Sequence, residues 1–239
     1  MGKTKVLFTL VCLILMTFQT LQAREIFKLQ ERIPEAVLKN INAIVSITDF
    51  QGETIGSGFI VEPSGVIVTN FHVIEAGGIK VKINKELIIP EGILGVDPIR
   101  DIAVLKIKRS NLPTVRLGSI ADVRVGDKVF AIGNPLGLEK TVTEGIVSSF
   151  RDGLDPLIPR GVRVIQFSAE IAPGSSGGAL FNYKGEVIGI TTAGVLISGF
   201  GFAIPIDYGI RLIQSEELLP TFSLWYVGKD ITKIRAGGK

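Results

Sequence analysis

Cysteine and histidine are the scarce residues of this chain. Its 239 residues hold one cysteine, Cys12, and one histidine, His72. Cys12 lies near the N-terminus, inside a segment set apart from the rest, so the remainder holds neither a catalytic thiol nor a disulfide. With one imidazole and no thiolate, a zinc site would need nearly all-carboxylate ligands, against that metal's preference. No metal and no cofactor are expected. The run Val6–Phe18 is 13 residues long, short of the roughly 20 that a spanning helix needs. A glycine-rich phosphate loop is missing too: Gly133-Asn134-Pro135-Leu136-Gly137 contains a proline and is not directly followed by a Lys-Ser/Thr pair, so it reads as a turn. An excess of one charge is also lacking. Without Lys3 and Lys5, 24 basic residues face 23 acidic ones, so the formal +3 and a pI near 9.0 carry no nucleic-acid signature.

The first 23 residues have the layout of a secretory signal. Lys3 and Lys5 make a basic start, Val6–Phe18 an apolar core, and Gln19–Ala23 a polar exit with small residues, with cleavage expected after Ala23. A periplasmic or secreted protein is expected, an uncleaved membrane tether being the alternative.

Residues 24–42 form an N-terminal arm with a helical candidate, in which Ile33, Val37, Leu38 and Ile41 recur at helical spacing. Strands and tight turns follow. Ala43–Asp49, Thr54–Val61, Gly65–Thr69, Ile79–Ile83, Leu87–Val96 and Ile102–Ile107 make a first set. The stretch from Leu112 to Gly126 reads as a connection. A second set comprises Lys128–Ile132, Lys140–Phe150, Val162–Ser168, Glu186–Thr192 and Phe200–Ile204, with a closing helix over Ile206–Leu219. Regular spacing of short strands predicts an all-β protein of two antiparallel six-stranded β-barrels, residues 43–118 and 119–210, with short terminal helices and a tail over 211–239.

Between two of the second set's strands lies Ala172-Pro173-Gly174-Ser175-Ser176-Gly177-Gly178-Ala179-Leu180. A serine flanked by glycines admits a substrate backbone closely, and the amides of Gly174 and Ser176 can point at one spot to hold an oxyanion. Taken alone, the pentapeptide reads equally well as a Gly/Ser hairpin loop. If an imidazole activates a serine here, it is His72, at the end of the apolar strand expected over Gly65–Thr69; a lone histidine is otherwise a surface or satisfied core residue. Such a pair needs a carboxylate to orient the ring. Asp101 opens the apolar run Ile102–Ile107, where an unpaired carboxylate is costly. Asp97, before Pro98, reads as a turn residue, and Asp49, Asp122, Asp127, Asp152 and Asp155 as solvated loop residues.

His72 in TNFHVI, Asp101 in DIAVLKI and Ser176 in APGSSGGAL resemble the three signatures of the HtrA/Deg family of serine proteases, on the chymotrypsin-like fold. The likeness extends through IGNPLGL, TVTEGIVS, GEVIGI and GFAIP, over roughly residues 35–210. The resemblance implies an exported serine endopeptidase acting on unfolded or misfolded polypeptides in protein quality control. Ser176 is then the nucleophile, His72 the general base and acid, Asp101 the orienting carboxylate, and the amides of Gly174 and Ser176 the oxyanion hole. It implies further that Thr192, Ala193 and Gly194 pair with the substrate strand, that Thr192 also meets the Asp101 carboxylate, and that Ile171, Phe202 and Ile204 wall the primary pocket. Ser149–Val162 is read as a long polar sensor loop in which Arg151 regulates its neighbours, and the arm bearing Phe27 and Leu29 as the seam of a homotrimer. Ser175 stands where the family has Asn, Gln166-Phe167-Ser168-Ala169 where it has QTDA, and a protease domain without a PDZ domain is expected. A non-catalytic peptide-binding module on the same fold is the rival reading. An esterase elbow is disfavoured because Gly174–Gly178 precedes a strand rather than a helix.

Overall fold

The computed structural model describes residues 33–154, 158–192 and 199–215. The chain divides into two compact units, residues 1–35 and 36–239. Nearly all of the first unit, with the segment expected to be a secretory signal, Phe27 and Leu29, lies outside the described residues, as does the tail from 216. Of the helix expected in the arm, the described part is one turn, α1 (Glu35–Leu38), followed by a 3₁₀ turn at Ile41–Ala43.

Short apolar runs, several of them buried along all or nearly all of their length, build a first sheet from β1 (Ile44–Thr48), β2 (Thr54–Glu62), β3 (Val66–Thr69), β4 (Lys80–Ile83), β5 (Glu86–Ile88), β6 (Gly92–Asp97) and β7 (Ile102–Lys106). Its order is β5-β4-β1-β2-β3-β7-β6, and it curls around Ile47, Phe59, Ile67, Val81, Val104 and Leu105, all fully buried. The antiparallel pairing of β3 with β7 sets Thr69 opposite Ala103. The end of β3 and the start of β7 therefore meet at one rim. Asn70 leaves β3 in an extended conformation and starts the single helical turn α2 (Phe71–Ile74). Asp101 enters β7 from a turn.

The second sheet holds β8 (Arg116–Leu117), β9 (Lys128–Gly133), β10 (Thr141–Leu154), β11 (Ile158–Phe167), β12 (Ala179–Asn182), β13 (Glu186–Thr192) and β14 (Gly201–Pro205). β12 pairs with both β9 and β13, which closes six strands into an antiparallel ring. The seventh, β8, adds to β13 in parallel, a short strand inside the stretch expected to be a connection. Phe167, Leu180, Ile188, Ile165 and Ala203 fill this core. The all-β double-barrel architecture is the expected one, with seven strands in each sheet rather than six.

The polar loop expected over Ser149–Val162 is instead a hairpin. β10 and β11 continue past the barrel, with Phe150 opposite Ile165, Arg151 opposite Val164 and Asp152 opposite Arg163. The Arg163 guanidinium lies 5.1 Å over the Phe150 ring, a cross-strand contact that supports the pairing. After β14 the chain makes a 3₁₀ turn (Ile206–Tyr208) and one helical turn, α3 (Ile210–Ile213), around Gly209.

Candidate active site

His72 and Asp101 are brought together from the two strands that share the rim. His72 Nδ1 lies 2.7 Å from Asp101 Oδ2, and the backbone N–H of His72 donates to Asp101 Oδ1 at 2.8 Å. An ionised carboxylate only accepts, so this contact puts the ring proton on Nδ1 and leaves Nε2 as the basic nitrogen. Burial works against the imidazolium and pulls the His72 pKa down. The hydrogen bond to Asp101, the charge of Asp101 and that of Glu75 outweigh it, so the net shift is upward from the ordinary histidine value. The His72 side chain is 44% exposed, which keeps the ring in reach of a ligand in the cleft. Thr192 Oγ1 also donates to Asp101 Oδ2, at a long 3.4 Å.

Asp101 adopts a left-handed backbone conformation, with φ of +56°. Such a conformation is strained for a residue with a Cβ, less so for aspartate than for most. Asn70 Nδ2 donates to the Asp101 carbonyl at 2.8 Å and ties this turn to the start of α2. Asn70 is fully buried, and its Oδ1 has no hydrogen-bond partner among the described residues.

Ser176 sits on the second barrel, 5% exposed, in the turn before β12. Its carbonyl accepts the Ser57 N–H at 2.7 Å, which fastens the turn to β2 of the first barrel. The next residue, Gly177, has φ of +84°, and a Cβ there would fall 2.2 Å from the Ser57 carbonyl oxygen and 3.2 Å from the Asn70 nitrogen. The serine turn therefore lies flush against the strand end that carries His72, and only glycine fits the seam. Gly174, with φ of +93°, is pressed against the Asn134 carbonyl in the same way.

Of the residues expected to contact substrate, Ile171 lines a cavity of about 320 Å³ formed with Pro135, Leu136, Leu138, Ala172 and Phe200. Phe202 and Ile204 are buried in β14 and do not line that cavity. Ala193 and Gly194 lie outside the described residues. Arg151 stands on the hairpin, where its Nε donates to Gln166 Oε1 at 2.9 Å. No cluster of three or more metal-ligating side chains occurs among the described residues.

The sequence reading missed three polar side chains: Asn70, Ser57 and Thr191. Ser57 Oγ donates to the Gly174 carbonyl at 2.7 Å and accepts the Asn134 N–H at 2.8 Å, and Thr191 Oγ1 donates to the Ser175 carbonyl at 2.7 Å. The available signal was weak but present. Each is a small polar residue in or just after an apolar-rich strand, a place where a hydroxyl or amide is buried and needs a partner.

Residues 56–190 match the family described as a trypsin-like peptidase domain. The chain is 46% identical over 166 residues to a probable periplasmic serine endoprotease, DegP-like, of Chlamydia pneumoniae, covering 69% of this chain and 33% of that protein. It is 42% identical over 192 residues to a DegP-like counterpart from Pseudomonas putida, covering 77% of this chain and 39% of that one. The chain thus spans between a third and two-fifths of the length of these relatives. Among solved structures, the HtrA-type protease AlgW with a tripeptide superposes with a TM-score of 0.65 at 37% identity, over 75% of this chain and 61% of that one. AlgW with a decapeptide gives 0.66 at 31% identity, over 81% and 67%.

Proposed function

Because this chain belongs to the trypsin-like peptidase family, among its HtrA-type serine proteases, we propose that it is an exported endopeptidase cleaving unfolded or misfolded polypeptides through an acyl-enzyme. The observation that carries the reading is the double hold of Asp101 on His72, 2.8 Å to the backbone and 2.7 Å to Nδ1, beside a glycine-flanked serine. That hold leaves Nε2 to take the proton of Ser176 Oγ as the hydroxyl attacks a peptide carbonyl. The imidazolium so formed sits against Asp101 and returns its proton to the leaving amine. Water then repeats the sequence on the acyl-serine. The amides of Gly174 and Ser176 receive the oxyanion in both halves. None of these steps calls for a cofactor or a metal.

Substrate in this reading lies extended along Thr192, Ala193 and Gly194, with its primary side chain toward Ile171, Phe202 and Ile204. The basic, apolar and small-residue layout of residues 1–23 and the periplasmic designation of the DegP-like relatives support a periplasmic or secreted location, with residues 24–42 as an arm and barrels over 43–118 and 119–210. Assembly as a homotrimer through the arm, with Phe27 and Leu29 at the seam, and regulation through Arg151 belong to the same reading.

Casein digestion and fluorophosphonate labelling of the exported protein, set against Ser176→Ala, test it. Digestion and a single label, both abolished in Ser176→Ala, are expected. Tight binding of unfolded casein with neither digestion nor label would make the protein a peptide-binding module instead.

A further inference from the structure

Resting on the reading of Ser176 as nucleophile, we propose that the hydroxyls of Ser57 and Thr191 are positioning groups that aim the two oxyanion amides. In a planar trans peptide the C=O and N–H point in opposite directions. The direction of an amide is therefore set by whatever holds the carbonyl of the residue before it. For the Ser176 amide that carbonyl is Ser175's, which accepts from Thr191 Oγ1 at 2.7 Å and from the Gly178 N–H at 2.9 Å. Thr191 supplies the side-chain bond in this pair, from the neighbouring strand β13.

For the Gly174 amide the carbonyl is Pro173's, which accepts the Leu136 N–H at 2.9 Å. Leu136 is a poor anchor by itself, because its side chain is in solvent and its φ is +52°. Ser57 corrects this. Its hydroxyl accepts the Asn134 N–H and donates to the Gly174 carbonyl, so one oxygen pins the Asn134–Leu136 turn to the serine turn. The hydroxyl, Gly174, Pro173, Leu136 and Asn134 close a ring of bonds. Glycine at φ of +93° makes other peptide orientations cheap, so the turn needs an external hold. Ser57 and Thr191 are almost wholly buried, where water does not compete for these bonds. Both side chains bond backbone atoms of the turn and leave the chemistry to Ser176 and His72.

The test compares Thr191→Val, which keeps the shape without the hydroxyl, with Thr191→Ser, which keeps the hydroxyl, and with Ser57→Ala. Each is assayed on a short peptide ester in the exported protein, and kcat is expressed per site titrated with fluorophosphonate, so that unfolded molecules drop out. Thr191→Val and Ser57→Ala are each expected to lose about 10- to 100-fold in kcat per titrated site, somewhat less than removal of an oxyanion donor. KM should stay within about twofold, as for an interaction made only in the transition state. The acid limb of the pH profile should not move, because His72 and Asp101 are untouched, and Thr191→Ser should stay near wild type. Per-site kcat within twofold of wild type for Thr191→Val, a loss carried wholly by KM, or equal damage in Thr191→Ser would overturn the inference. Should Ser57→Ala not fold, the Thr191 pair decides alone. Labelling of wild type with unchanged kcat in Thr191→Val defeats the inference only, whereas failure of wild type to label at Ser176 overturns both readings.

Discussion

Asp101 grips His72 at two atoms, its Oδ1 accepting the backbone N–H at 2.8 Å and its Oδ2 meeting Nδ1 at 2.7 Å. The first bond fixes where the residue stands and the second fixes how the ring turns. One carboxylate thus selects both the position and the tautomer, and it does so across 29 residues of sequence.

The pH dependence of activity follows from this pair. The general base proposed here, His72, works deprotonated, so kcat/KM is expected to fall as pH drops through its pKa. Burial lowers that pKa, and the Asp101 hydrogen bond and charge with the Glu75 charge raise it more, so the acid limb of wild type should lie above that of a free imidazole. In Asp101→Asn both Asp101 contributions vanish while burial remains. The limb should then move to lower pH as kcat falls by about 10⁴. A pH–rate profile on a chromogenic peptide checks this, and a limb that stays in place in Asp101→Asn would refute the coupling.

Asn70 is expected to support the strained backbone of Asp101. In Asn70→Ala the Asp101 carbonyl loses its amide donor, at a cost of about 1 kcal/mol in urea unfolding. The φ of +56° at Asp101 is then less well held. kcat should fall more than KM rises, with the acid limb shifted downward, because a looser Asp101 raises the His72 pKa less. Full activity in a folded Asn70→Ala would show that the turn holds itself.

Gly177→Ala and Gly137→Ala should differ sharply in stability. Both glycines have positive φ, so both substitutions carry a left-handed penalty of about 1–2 kcal/mol. At Gly137 a Cβ meets nothing within 4 Å, and that penalty is the whole cost. At Gly177 it would strike the Ser57 carbonyl oxygen at 2.2 Å and Thr69 Oγ1 at 2.3 Å, which forces the barrels apart at the serine turn. Denaturant midpoints measure the contrast, and equal midpoints would contradict the seam described here.

Arg151→Ala tests the proposed regulatory role at the hairpin. Its guanidinium holds Gln166, a buried residue of β11 paired with Phe202 of β14. Loss of the arginine leaves the Gln166 oxygen without this partner beside the strand proposed to wall the primary pocket. A several-fold fall in kcat/KM is expected, with the fluorophosphonate titre intact. A variant as active as wild type would remove the role.

The rarity of certain residues made much of the candidate site legible before any fold was known. A chain with a single histidine leaves no choice of imidazole, and a carboxylate opening an apolar strand, as Asp101 does, announces a partner. Glycines flank the Ser175-Ser176 pair directly, and short runs rich in β-branched residues, such as Thr54–Glu62 and Glu186–Thr192, carry the strands. These are signals within a few residues of one another, which composition and spacing can expose.

What tertiary structure alone decided lies across long separations. Ser57 reaches Gly174 over 117 residues and Asn134 over 77, and Asn70 reaches Asp101 over 31. A buried serine in β2 looks like any other small residue until the second barrel docks against it. The same is true of Thr191, since attention falls on its neighbour Thr192 until the register of β13 shows which hydroxyl meets the Ser175 carbonyl. Ser149–Val162 reads as a loop because of its turn-forming and polar residues, yet β10 pairs with β11 there, Phe150 opposite Ile165 and Asp152 opposite Arg163, and Val162 is buried with Val164 and Phe202. Local sequence sets which groups are present and which face of a strand they take. Hydrogen bonds between distant backbone and side-chain atoms form only when each barrel closes, as for Asn70 with Asp101 and Thr191 with Ser175, or when the two barrels dock, as for Ser57 with Gly174, and those bonds determine which groups are aimed.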